Sequence, residues 1–154
     1  MVRGRSVICV TLLALTLCGS PRPALAHAFL NASVPAADST VSMAPKEVRL
    51  SYSEPVEIRF SIFKVYKISA APGADMRTLR SAADSLVSSD LLKRGDEAQR
   101  SDAGVANTGQ TSTDIAVRLK DLEPGAYVLM WRVLSVDTHT TQGSFIFVYA
   151  PSSS

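Results

Sequence analysis

Polar and apolar residues alternate with a period of two through Glu47-Val48-Arg49-Leu50-Ser51-Tyr52, which predicts a strand burying Val48, Leu50 and Tyr52 on one face. Ser53-Glu54-Pro55 is expected to end it. Residues 58–68 are rich in β-branched and aromatic side chains. They carry Ile58, Phe60 and Ile62 in one phase and Phe63 and Val65 in the other, so a bulge is expected between them. Alternation returns over residues 114–119. It is followed by Asp121-Leu122-Glu123-Pro124-Gly125, where Pro then Gly predicts a type II turn. The next strand carries apolar residues in both phases, with Tyr127, Leu129, Trp131 and Val133 opposing Val128, Met130, Arg132 and Leu134. It is therefore expected at the centre of a sheet. A last strand over 144–149 sets Phe145, Phe147 and Tyr149 against Ile146 and Val148. Aromatics alternating in this way are read as core.

Short strands punctuated by Pro and Gly predict an all-β domain, a small Greek-key β-barrel or a sandwich, and periodicity does not choose between the two. Residues 69–113 break the pattern as a long irregular insertion rich in Ala, Ser, Asp and Gly. Within it Met76, Leu79, Ala83, Leu86 and Val87 have helical spacing, so a short amphipathic helix fits between Asp75 and Leu92. From Lys93 to Thr113 apolar residues nearly vanish, and this part is read as a mobile surface loop.

The first 26 residues change the composition. Arg3 and Arg5, the apolar run from Val7 to Cys18, and Ala24-Leu25-Ala26 are the three parts of a secretory signal peptide, removed after Ala26. The run is too short for the roughly 20 residues that span a bilayer, and no later segment is apolar for longer. A lipid anchor at Cys18 is disfavoured by Leu17 before it. Cys9 and Cys18 both leave with the leader, so the exported domain, residues 27–150 with a frayed tail at 151–154, has no disulfide. Export without disulfides points to a bacterial periplasm. Loss of Arg3, Arg5 and Arg22 from 16 basic side chains leaves 13 against 14 acidic ones. With no basic block interleaved with aromatics, nucleic acid is not an expected partner.

The chain has two histidines, and their places are informative. Cleavage after Ala26 makes His27 the first residue, so its α-amine and imidazole Nδ1 can close a chelate ring on a metal, which no internal histidine can do. Both groups give up protons near neutral pH, so a metal displaces them at modest cost. The second, His139, follows the long central strand in Ser135-Val136-Asp137-Thr138-His139. In an extended segment residues two apart project to one side, which would converge Asp137 and His139 on the same ion. Three nitrogens and one carboxylate suit Cu(II), although zinc could use the same donors. Glu54 and Glu57 are read as solvated, and Met43, Met76 and Met130 are too scattered for a soft Cu(I) site. There is no nucleophile elbow or phosphate-binding glycine loop.

These residues resemble the CopC family of periplasmic copper-binding and copper-resistance proteins, including its YobA-type members. The matching blocks are His27-Ala28-Phe29-Leu30, Ser33-Val34-Pro35-Ala36, Ala44-Pro45, Val48-Arg49-Leu50 and Ser53-Glu54-Pro55-Val56-Glu57. The densest block runs from Leu122 to Val148 and includes Pro124-Gly125-Ala126-Tyr127, Trp131-Arg132-Val133, Ser135, Asp137, His139, Gly143, Phe145 and Phe147. The resemblance implies a cupredoxin-like or immunoglobulin-like fold. It also implies a Cu(II) site made by the N-terminal amine and imidazole of His27 with Asp137 and His139, and a separate CopD-like inner-membrane partner. Thr138 departs from the Asp-Gly-His usual in the family; if that backbone needs positive φ, threonine strains the loop.

Copper buffering, transport or resistance in the periplasm, without enzymatic activity, is the expected function. The alternatives are a copper monooxygenase using a histidine brace, for which Asp137 would crowd oxygen, and a metal-free structural β-sandwich. Peroxide-dependent polysaccharide oxidation would mark the first alternative, and no copper retained after dialysis the second.

Overall fold

The computed structural model describes residues 28–71 and 73–152, so the leader 1–26 and His27 lie outside the described residues. Eight strands and one α-helix occur among them: β1 (Leu30–Val34), β2 (Ser39–Val41), β3 (Glu47–Glu57), β4 (Ile62–Lys67), α1 (Met76–Asp90), β5 (Asp102–Val105), β6 (Thr111–Leu119), β7 (Gly125–Leu134) and β8 (Thr140–Tyr149). They form two four-stranded sheets, ordered β1-β3-β6-β5 and β2-β8-β7-β4. The architecture is a sandwich, and the sheets do not close into a barrel. All pairings are antiparallel except β2 with β8.

The alternation in β3 buries Val48, Leu50 and Tyr52 as expected. Pro55, however, does not end this strand. Pairing with β6 shifts register between Ser51 and Val56 and resumes at Val56 opposite Ser112. A proline cannot donate to a ladder, and a bulge is where the chain tolerates one. The bulge expected inside 58–68 is instead a short 3-10 turn, Ile58–Phe60, that hands the chain from one sheet to the other.

β7 lies between β4 and β8 and is covered on both faces, by the other sheet and by α1, so it is apolar on both except at the exposed Arg132. Tyr127, Leu129, Trp131 and Val133 meet β3 and β6 in the main core, together with Phe145 and Phe147 from β8. The Tyr127 and Phe147 rings stack at 5.5 Å. Gly143 stands opposite Trp131 because the indole occupies the space of a side chain there: a Cβ at 143 would lie 2.5 Å from Cζ2. The outward residues Val128, Met130 and Ile146 form a second core beneath α1.

The Pro124-Gly125 turn also differs from expectation. Gly125 has φ of +149°, not the roughly +80° of a type II turn, and it opens directly into β7. What fixes this corner is Tyr127, whose hydroxyl donates to the Glu123 carbonyl at 2.6 Å. The spacing is that of a tyrosine corner, a recurrent lock in β-sandwiches.

The insertion contains the predicted helix. Asp75 caps α1 by accepting from the Thr78 backbone N–H, Leu79 and Ala83 are buried, and Met76, Leu86 and Val87 pack against the second core. Residues 93–113 are not a free loop, which corrects the sequence expectation. Lys64, almost fully buried in β4, donates to the carbonyls of Asp90 and Lys93 and to Asp96 Oδ2, while Tyr66 donates to the same carboxylate at 2.5 Å. Further on, Ser101 N–H donates to the Val65 carbonyl and Asp102 Oδ2 accepts from Val65 N–H, while Arg100 reaches the Phe63 carbonyl. β5 then pairs with β6. Hydrophobic periodicity missed this because the anchors are carboxylates buried against backbone and ammonium donors.

Candidate metal centre

β7 and β8 are joined by residues 135–139, and Ser135 organises that connection. Its side chain is buried. Its N–H donates to the His139 carbonyl at 2.9 Å and its own carbonyl accepts from Thr138 N–H at 2.9 Å. Ser135 also bridges to Val56, and Val136 N–H donates to the Pro55 carbonyl, so the loop is fastened to the bulged part of β3. Thr138 has φ of +75°. The condition for strain is therefore met, because a β-branched residue is disfavoured in the left-handed region.

Asp137 and His139 come together, though not in the way an extended segment would bring them. The left-handed residue between them folds the loop back, and His139 Nδ1 lies 3.2 Å from Asp137 Oδ2. Asp137 Oδ1 accepts from the Ser135 hydroxyl and, at 3.2 Å, from His139 N–H. The other oxygen, Oδ2, is buried, and no donor among the described residues is aligned to hydrogen bond to it. The Ser135 hydroxyl holds the Asp137 carboxyl below its usual range; partial desolvation opposes this, and the His139 N–H and imidazole add to it. The group is therefore an anion at neutral pH. A buried carboxylate oxygen without a donor, beside an imidazole, fits a cation.

The beginning of the described chain is pinned beside this loop. Ala28 is buried, and its carbonyl accepts from Thr141 Oγ1 at 2.8 Å. Phe29 N–H donates to Ser53 Oγ at 3.0 Å, and Ser53 N–H donates back to the Phe29 carbonyl at 2.8 Å. Of the three expected metal-ligating residues the structure thus brings together Asp137 and His139, while His27 lies outside the described residues. Among the described residues no three His, Cys, Asp or Glu side chains gather into a metal-sized cluster. The methionines are dispersed as expected: Met43 is exposed, Met76 packs against the helix core and Met130 is fully buried. Among the described residues no helix is long and apolar enough to cross a membrane.

Sequence reasoning assigned Ser135, Thr141 and Ser53 no hydrogen-bonding part in the site. Ser135 could have been found two residues before Asp137, where a short hydroxyl in a tight turn reaches a following carboxylate. The other two become visible only once β3, β8 and residues 28–29 are assembled.

A family model for the CopC domain matches residues 30–150. The YobA protein of Escherichia coli strain K12 is 32% identical over 123 residues, covering 79% of this chain and 77% of that protein. Copper resistance protein C of Escherichia coli is 29% identical over 124 residues, covering 80% of this chain and 82% of that protein. Among solved structures, PcoC from Escherichia coli, described as a methionine-rich copper resistance protein, matches with a TM-score of 0.56 at 26% identity over 80% of this chain and 99% of its own. CopC from Methylosinus trichosporium OB3b matches with a TM-score of 0.58 at 21% identity over 83% of this chain and 98% of its own, a likeness of fold.

Proposed function

This chain belongs to the CopC family, and we propose that it is a periplasmic copper-binding protein that holds one Cu(II) ion and serves copper buffering, transport or resistance. In this reading copper is cargo, and the protein is a binder, not an enzyme. The ligands are the α-amine and imidazole of His27, exposed when the leader 1–26 is cleaved, with Asp137 and His139. A CopD-like inner-membrane protein is the proposed exchange partner.

One observation carries the site: Asp137 Oδ2 is buried, without an aligned donor among the described residues, 3.2 Å from the His139 imidazole. The pinned position of Ala28 supports the third ligand. Ala28 follows His27 directly in the chain and is tied to Thr141, two residues past His139. Nitrogen donors with a single carboxylate favour Cu(II) over harder ions, and the dispersed methionines favour a single site without soft thioether ligands.

The test is N-terminal sequencing of the exported protein, then Cu(II) titration followed by electron paramagnetic resonance. A polypeptide beginning at His27 with a nitrogen-rich tetragonal signal is expected. His139→Ala, or one extra residue before His27, should each weaken binding at least tenfold. Unchanged affinity in either variant would overturn the assignment.

A further inference from the structure

We propose that Ser135 is a positioning residue that makes Asp137 a one-oxygen ligand; this rests on the reading of Asp137 as a copper ligand. An ionised carboxylate has about two acceptor positions on each oxygen. On Asp137 both positions of Oδ1 are used, by the Ser135 hydroxyl and by His139 N–H, whereas Oδ2 has only the other proposed ligand beside it, the His139 Nδ1 at 3.2 Å, and no aligned donor among the described residues. The protein thus occupies one oxygen and leaves the other for the cation.

Ser135 is suited to this because the charged Asp137 carboxylate is a stronger acceptor for its single proton than the neutral His139 carbonyl that also lies within reach. The nearby His139 carbonyl, 3.2 Å from Oγ, already accepts the Ser135 N–H at 2.9 Å. The Val56 bridge and the buried setting fix the serine backbone, so the hydroxyl is a rigid post against which the carboxylate plane is set. Without the hydroxyl, only the 3.2 Å bond from His139 N–H holds Oδ1, so the carboxylate turns more readily about χ2 and can present either oxygen or both. A metal held by a carboxylate of undefined rotation gains less from binding, because the ordering of that side chain falls on the binding step.

The experiment compares Cu(II) affinity and the electron paramagnetic resonance spectrum of the processed wild type, Ser135→Ala, Asp137→Ala and the double variant, with apo melting temperatures measured alongside. Ser135→Ala should lose about tenfold in affinity and turn a single Cu(II) signal into a mixture, and it should have no further effect on affinity in the Asp137→Ala background. Ser135→Thr keeps the hydroxyl, so it should retain the wild-type spectrum, and a mixed Cu(II) signal in folded Ser135→Thr would count against the hydroxyl as the positioning group. An Ser135→Ala variant with wild-type affinity and spectrum, or an equal loss with and without Asp137, would overturn the proposal while the ligand assignment stands. Wild-type affinity in Asp137→Ala would instead remove the reading on which the proposal rests.

Discussion

Thr141 Oγ1 donates a 2.8 Å hydrogen bond to the carbonyl of Ala28, joining residues 113 positions apart at the end of the sandwich that carries Asp137 and His139. The bond fixes where the described chain starts relative to β8. Thr141→Val keeps the shape and removes the donor. It should cost about 1 kcal/mol in urea denaturation. It should also weaken Cu(II) binding in titrations of the processed protein, because the N-terminal donors lose their anchor. Copper affinity at the wild-type level would show that the tether serves the fold alone.

Gly143→Ala places a methyl group 2.5 Å from Trp131 Cζ2, inside contact distance of a ring that is itself packed against Tyr52 and Phe145. The indole cannot yield without disturbing its neighbours. A loss of about 1–3 kcal/mol in denaturant unfolding is expected, with a shift in tryptophan emission. An unshifted midpoint would mean that the strands part to admit the methyl.

Thr138→Gly should stabilise the protein, which is unusual for a glycine substitution. At φ of +75° threonine pays steric strain that glycine does not, and that relief outweighs the extra freedom of the unfolded chain. A gain of about 1 kcal/mol is expected. Calorimetry of the copper-free protein reads it as a raised melting temperature, and an unchanged or lower one would count against strain at this residue.

Asp96 predicts how acid acts on the insertion. Burial pushes its carboxyl upward, but the hydrogen bonds from the Lys64 ammonium and the Tyr66 hydroxyl more than offset this, so it titrates below its usual range. For a depressed acid, the stability it contributes is present above its unfolded value near 4 and is lost as pH falls through the lower folded value. Amide protection in α1 and residues 91–102, taken relative to the intrinsic exchange rate at each pH, should therefore fall below about pH 4, and Asp96→Asn should flatten that dependence. At neutral pH, Asp96→Ala leaves the Lys64 charge buried without its counterion and should cost roughly 3–5 kcal/mol.

These sites also show what the amino-acid order discloses. The faces of β3, β7 and β8, and the buried side of α1, are legible because apolar burial repeats with the period of the backbone. Asp137 and His139 are legible because metal donors are few and stand two apart. Their approach through a left-handed Thr138 is not, since it depends on the bonds of Ser135 and on Val136 resting against Pro55. The course of 93–105 is hidden for a related reason. Asp96 and Asp102 look like solvent-facing acids until Lys64, Tyr66 and the backbone of β4 are set around them.

Val65 offers both its backbone groups away from β7, and both are taken: Ser101 N–H meets its carbonyl and the Asp102 carboxylate meets its N–H, with Arg100 on the Phe63 carbonyl beside them. β4 is the last strand of its sheet, the position at which a foreign strand would dock and sheets grow from molecule to molecule. A side chain in place of a ladder rung ends the pattern where it stands, because a carboxylate has no second edge to pass on. The insertion is thereby a selvage, closing the stretch of this edge at Phe63 and Val65 to the backbone of an incoming strand.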